Sequence, residues 1–146
     1  MQKNSWNRFL EAQNGSRWGS SYEEALAEIR KGRKYSHWIW YVFPQLRGLG
    51  RSEASFFFGL ENKAQAEAYL SHEILGARLL EITGVLLALP ESNILRIVSG
   101  VDAVKLRSCM TLFAQTENAP PVFEAVLQKY FNGKRDEKTL ALLALS

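Results

Sequence analysis

Hydrophobic and polar positions along the chain recur at helical rather than strand spacing. Leu75, Leu79, Ile82, Leu86 and Leu89 repeat every three to four residues across 73–89, and Pro90 forbids continuation, which predicts one long helix there. Over 5–13, from Ser5 to Gln13, Trp6, Phe9 and Leu10 share an inward side of a short first helix. Ser21-Tyr22-Glu23-Glu24 reads as a capping box, opening a helix through Ala25, Leu26 and Ile29 that Gly32 stops. Ser52 or Glu53 starts a further helix through Phe56, Phe57, Phe58 and Leu60, although a triple-phenylalanine run also suits a buried strand. Asn62 caps an alanine-rich segment to Leu70, with Gln65 at the capping-box partner position. Residues 92–98 suit a short helix or strand, and 102–114 a second strongly apolar helix. Pro120-Pro121 fit a first helical turn, where the missing N–H costs nothing; that helix closes at Asn132-Gly133. Asp136 caps a last helix through Leu143. With no hairpin signal and no sustained alternation, the pattern predicts a compact all-α single domain over 1–146.

One stretch departs from this amphipathic pattern. From Tyr35 the chain reads Y-S-H-W-I-W-Y-V-F-P-Q-L-R-G-L-G-R-S. Ser36 is placed to cap a helix over about 36–43 whose sides are nearly all apolar, and a helix hydrophobic all round belongs in the core. Beyond Pro44 the chain turns glycine-rich at Gly48 and Gly50, then reaches Arg51 and Ser52. A buried aromatic helix that ends in such a loop is a natural place for a pocket.

Size and charge narrow the picture without fixing a function. A chain of 146 residues can bury a real core, about two thirds of its unfolded surface. No apolar run approaches the ~20 residues that span a bilayer, and M-Q-K-N-S-W-N-R lacks a signal peptide's apolar segment. A cytoplasmic location is expected. The single Cys109 excludes an intramolecular disulfide and suits a small core hydrophobe. A net charge of +3 is too mild for a dedicated nucleic-acid binder. The densest basic run, 30–34, is either a solvated helix end or a phosphate-facing rim beside the pocket.

Few residues suggest chemistry. His37 and His72 read first as structural histidines, since no spacing of His, Cys and carboxylates suits a metal. G-L-G-R-S falls short of a nucleophile elbow, a Walker loop and a dinucleotide fingerprint. Asp102, Lys105, Arg107 and Ser108 share a helix that is otherwise largely apolar. Asp102 and Lys105 can pair three residues apart, with Arg107 tying down loop carbonyls; alternatively Lys105 or Arg107 faces the pocket and receives an anion. Gly76 and Gly84 weaken the long helix and imply close packing.

The motifs S-H-W-x-W-Y-V-F-P-Q-L-x-G-L-G-x-S, G-A-R-L-L and D-x-x-K-L-R-S-C-M-T-L-F-A resemble a family of small bacterial proteins of unknown function, sometimes labelled "calpastatin". That resemblance covers about 9–143 and implies a mainly helical domain with no established activity. The aromatic helix, the K/R-bearing helix with its following methionine, and Phe123-Glu124-Ala125-Val126-Leu127 also resemble, at pattern level, the YbiA-like superfamily. The superfamily likeness implies ADP-ribose- or NAD-derived substrates. Its Glu-His pair has no counterpart here, where Ser36-His37 precede the tryptophans.

Together these features suggest a nucleotide-type pocket, with no cofactor. Trp38, Trp40 or Tyr41 would stack a base, and Gln45, Gly48 and Gly50 would line the cavity with Ser36. Arg51, Ser52, Lys105 and Arg107 would hold phosphates. If the protein is an enzyme, an N-glycosidic hydrolase acting on ADP-ribose or NAD derivatives is expected, with His37 and Asp102 as acid and base. The rival readings are a non-catalytic interaction module and a weak single-stranded nucleic-acid binder that stacks bases beside the basic run.

Overall fold

The computed structural model describes residues 6–145. Within them the chain forms nine α-helices and no named strand: α1 Asn7–Gln13, α2 Tyr22–Arg30, α3 Ile39–Val42, α4 Glu53–Phe57, α5 Lys63–Ser71, α6 Leu75–Ala88, α7 Gly100–Ala114, α8 Pro121–Phe131 and α9 Glu137–Leu145. Helix α7 is the central element, packed against α3, α5, α8 and α9, while α6 lies between α2, α5 and α8.

Local sequence accounts for most helix ends. Ser21 and Glu24 form the reciprocal capping box, Ser52 accepts from the Ser55 amide, and Asn62 accepts from the Gln65 amide. The Gln65 side chain reaches the Glu61 amide rather than that of the cap residue. Pro121 occupies the first turn of α8, and Asn132 ends it in the left-handed conformation. Asp136 accepts from the Thr139 amide at 2.9 Å at the start of α9. Ser5, the expected start of the first helix, lies outside the described residues.

The aromatic segment is buried as its composition requires, but it is helical for a single turn. Trp38, Ile39, Tyr41, Val42 and Phe43 are all core residues. The N-terminal position falls on Trp38, without a side-chain cap. Ser36 does not cap because its hydroxyl donates to Glu28 at 2.6 Å, and 36–37 form a bend ahead of the helix. From this segment an aromatic chain crosses the core: Tyr41 meets Phe58, Phe58 meets Phe9, Phe9 meets Tyr69, Tyr69 meets Phe113 and Phe113 meets Phe123. The buried Gln13 amide donates to the Tyr41 carbonyl at 2.8 Å and accepts from Arg78 at 3.1 Å, joining α1, α3 and α6.

The two glycines of α6 have different roles. A Cβ on Gly76 would sit 2.0 Å from the Leu70 carbonyl oxygen, so close packing excludes any side chain there. Gly84 faces open space, so close packing does not explain it. Phe58 is the buried member of its run, whereas Phe56 and Phe57 are exposed.

Candidate functional site

Three concavities adjoin one another, and each shares residues with the next. The first, about 90 Å³, is lined by Lys34, His37, Trp38, Trp40, Tyr41, Asp102 and Lys105, among others. The second, about 360 Å³, is lined by Trp40, Gln45, Leu49, Gly50, Val101, Val104, Lys105, Ser108, Asp136 and Lys138. Trp40 and Lys105 are common to both. The third, about 470 Å³, holds Arg107, Lys134, Arg135, Asp136, Glu137 and Lys138, and it shares Asp136 and Lys138 with the second. Only the second and third reach the few hundred Å³ that small-molecule sites usually occupy.

The first cavity is built on compensated charge. Asp102, in the first turn of α7, lies 2.8 Å from the Lys34 ammonium and 3.6 Å from that of Lys105. Lys34 also donates to the Ser36 carbonyl at 2.7 Å and stands over the Trp38 ring. Lys105 stands over Trp40, 4.7 Å from the ring centroid. The last residue of the basic run is thus an internal counter-ion, neither a solvated helix end nor a phosphate rim. Arg30, Lys31 and Arg33 remain exposed.

Glu28 is the organising carboxylate behind this cavity. It accepts from the Tyr35 and Ser36 amides, the Ser36 hydroxyl and the Trp38 indole N–H. Burial pushes its pKa up, but these four hydrogen bonds outweigh burial and hold it below the ordinary glutamate value. Nothing in the sequence marks this role, because Glu28 sits in an ordinary amphipathic helix and its partners come from the following loop. Tyr41 donates to the Ser20 carbonyl at 2.6 Å, and burial raises its pKa to about 12. Gly19 allows this approach, since a Cβ there would lie 2.2 Å from the His37 carbonyl oxygen.

The second concavity is a groove between α7, the start of α9 and the loop after α3. Gln45 is only 2% exposed, and its amide nitrogen has no hydrogen-bond partner. Its backbone is fixed by the Leu60 amide, which donates to the Gln45 carbonyl at 2.9 Å. Val101 and Val104 are exposed apolar residues on the rim. Gly50 lets the loop lie against Trp40, because a Cβ there would come within 3.0 Å of the indole.

The residues expected to form one site are therefore divided. Ser36, His37, Trp38, Tyr41 and Asp102 surround or back the small cavity, Gln45 and Gly50 line the groove, and Trp40 and Lys105 separate the two. His37 is exposed at the mouth of the small cavity. Arg51 is exposed and lines none of the three concavities. The Ser52 hydroxyl is occupied as the cap of α4, and Gly48, at φ +107°, makes a turn beside Leu142. Arg107 does not join Lys105; it opens onto the third concavity. Asp136, Lys138, Val101 and Val104 were not anticipated, because only the packing of α9 on α7 brings them together. His72 is structural: its Nδ1 accepts from the Ile74 and Leu75 amides, both at 3.1 Å, at the start of α6. No cluster of His, Cys and carboxylates suited to a metal occurs among the described residues.

A family model described as "Protein of unknown function (DUF1810)" matches residues 3–143. The chain belongs to that family. It is also similar to a solved structure, the conserved hypothetical protein Rv1873 from Mycobacterium tuberculosis, with 42% identity, 98% of each chain covered and a TM-score of 0.90. No curated protein matches the chain. The motifs led to the expectation of a family of unknown function, and a family of unknown function is what matches, while neither the "calpastatin" label nor the YbiA-like resemblance gains support. No helix among the described residues is long and apolar enough to cross a membrane.

Proposed function

We propose that the groove beside Trp40 binds a small nucleotide-type ligand of the ADP-ribose- or NAD-derived class. The observation that carries this reading is the buried Gln45 amide nitrogen without an acceptor. A buried donor left unpaired costs about 1–3 kcal/mol, and an amide that turns out into the groove to meet a ligand acceptor loses that penalty. A primary amide offers a donor and an acceptor side by side, which matches the edge of a purine base. Trp40, Val101 and Val104 give the base apolar walls, while Lys105 and Lys138 supply cations for the phosphates.

The proposal concerns binding rather than cleavage. N-glycosidic hydrolysis passes through an oxocarbenium-like state that a nearby carboxylate stabilises. Asp102 is already engaged by two lysines and Glu28 by four hydrogen bonds, so neither presents an uncommitted carboxylate to a sugar. A second reading, a protein-interaction module, is favoured by one observation outside the groove. Phe57 is stacked on Trp18 at 5.2 Å, and Phe56 beside it is 66% exposed.

Thermal unfolding with AMP, NAD and ADP-ribose tests the groove. A ligand at a hundredfold excess over its Kd stabilises the folded state by about 2.7 kcal/mol. Gln45→Leu should keep or raise the unliganded Tm, since it removes an unpaired donor, and should lose most of the ligand-induced rise. If none of the three nucleotides moves the wild-type Tm, the groove reading fails and the interaction module stands in its place.

A further inference from the structure

The third concavity is a cationic basin that the groove reading touches only through Lys138. Arg107 enters it from α7, Lys134 and Arg135 from the loop before α9, and Lys138 from the first turn of α9. Its two acidic residues are Asp136 and Glu137. Asp136 is committed locally, its Oδ2 accepting from the Thr139 amide at 2.9 Å and the Thr139 hydroxyl at 2.6 Å. Arg135 is committed as well, to Glu124 and to the Gly133 carbonyl. Three cations, Arg107, Lys134 and Lys138, are left against one uncommitted carboxylate, Glu137, among the lining residues.

Arg107 makes this more than a patch of surface charge. Its Nε is buried without a hydrogen-bond partner. Because Nε is out of solvent reach, an anion in the basin would be met by the remaining N–H groups of Arg107, whose planar fork suits phosphate.

We infer that this basin is an anion site for a phosphate or diphosphate group, with Arg107 as its principal ligand and Lys134 and Lys138 as supporting cations. The basin shares Asp136 and Lys138 with the groove, so a ligand whose base lies against Gln45 can place its phosphates beside Arg107. That extension rests on the groove reading; the anion site itself does not.

The test is calorimetric titration of the full chain at low ionic strength with three probes: inorganic pyrophosphate, adenosine and ADP. Pyrophosphate should bind the wild type and bind Arg107→Gln about tenfold more weakly, the size expected for losing a charge-assisted hydrogen bond. Lys134→Ala, at an exposed position, should weaken pyrophosphate a few-fold without disturbing the fold. Lys31→Ala, exposed elsewhere, should leave it unchanged. Adenosine should respond to Gln45→Leu and ignore Arg107→Gln, and ADP should respond to both. Pyrophosphate binding that is absent from the wild type, or equal in wild type, Arg107→Gln and Lys134→Ala, overturns the anion site. Adenosine and ADP failing to respond to Gln45→Leu while pyrophosphate still responds to Arg107→Gln sinks the groove reading and leaves the basin standing.

Discussion

The Lys34 ammonium and the Asp102 carboxylate meet at 2.8 Å with side chains only 7% and 15% exposed. This ion pair fastens the loop after α2 to the first turn of α7, the central helix. Lys34 is further held by the Ser36 carbonyl, and Asp102 by Lys105, so the pair belongs to a small network rather than standing alone.

Removing Asp102 should therefore be costly. Asp102→Ala leaves a nearly buried ammonium without its carboxylate, which costs about 3–5 kcal/mol for pairs of this kind. Arg107→Gln should cost far less, below about 1 kcal/mol, because no partner is orphaned when it goes. Urea unfolding of the two variants checks the contrast. An Asp102→Ala midpoint equal to that of the wild type would show the pair to be dispensable.

Stability should fall with acid through Glu28. Its folded pKa is depressed, since four hydrogen bonds to the charged form overcome the opposing effect of burial. A depressed carboxylate contributes stability above its unfolded pKa and loses it as pH drops towards the folded value. The wild type should thus be more stable than Glu28→Gln at neutral pH, and the gap should close as pH falls below the ordinary value of 4.5. Glu124, lowered by its bonds to Arg135 and Gln128, adds to the wild-type slope but is unchanged in the variant. Denaturant midpoints measured from pH 3 to 7, on the order of the carboxylate titration range, supply the comparison.

The two glycines of α6 should respond oppositely to alanine. Gly84→Ala gains helix propensity in open space and should stabilise by about 0.5–1 kcal/mol. Gly76→Ala gains the same propensity but drives a methyl into the Leu70 carbonyl, so α5 and α6 must separate. The net effect there should be destabilising by roughly 1–3 kcal/mol. Equal effects of the two substitutions in chemical unfolding would contradict the packing described.

What was legible in the sequence was local. Ser21, Ser52, Asn62, Asp136 and Pro121 announce helix starts because each satisfies, or does without, amides within its own first turn. The apolar content of 38–43 announced its burial. Its length as a helix was not legible, because Ser36 is drawn away by Glu28, a residue whose own helix gives no sign of that task. The site divides in the same way. Trp40, Gln45, Gly50 and Lys105 do line one groove, since two neighbouring segments supply them. Arg107 follows Lys105 closely along α7, yet the helical turn carries it into a different concavity, and the α9 residues that complete both depend on packing that no short motif records.

The Glu28 carboxylate has one further consequence. By fixing Tyr35, Ser36 and Trp38 together, it settles the conformation of the segment leading to the groove during folding. The entropy of ordering that segment is then lost before any ligand arrives, and association need not be opposed by it. A molecule entering beside Trp40 meets a wall already in its final shape, so the liganded and free proteins should superpose closely along 35–41.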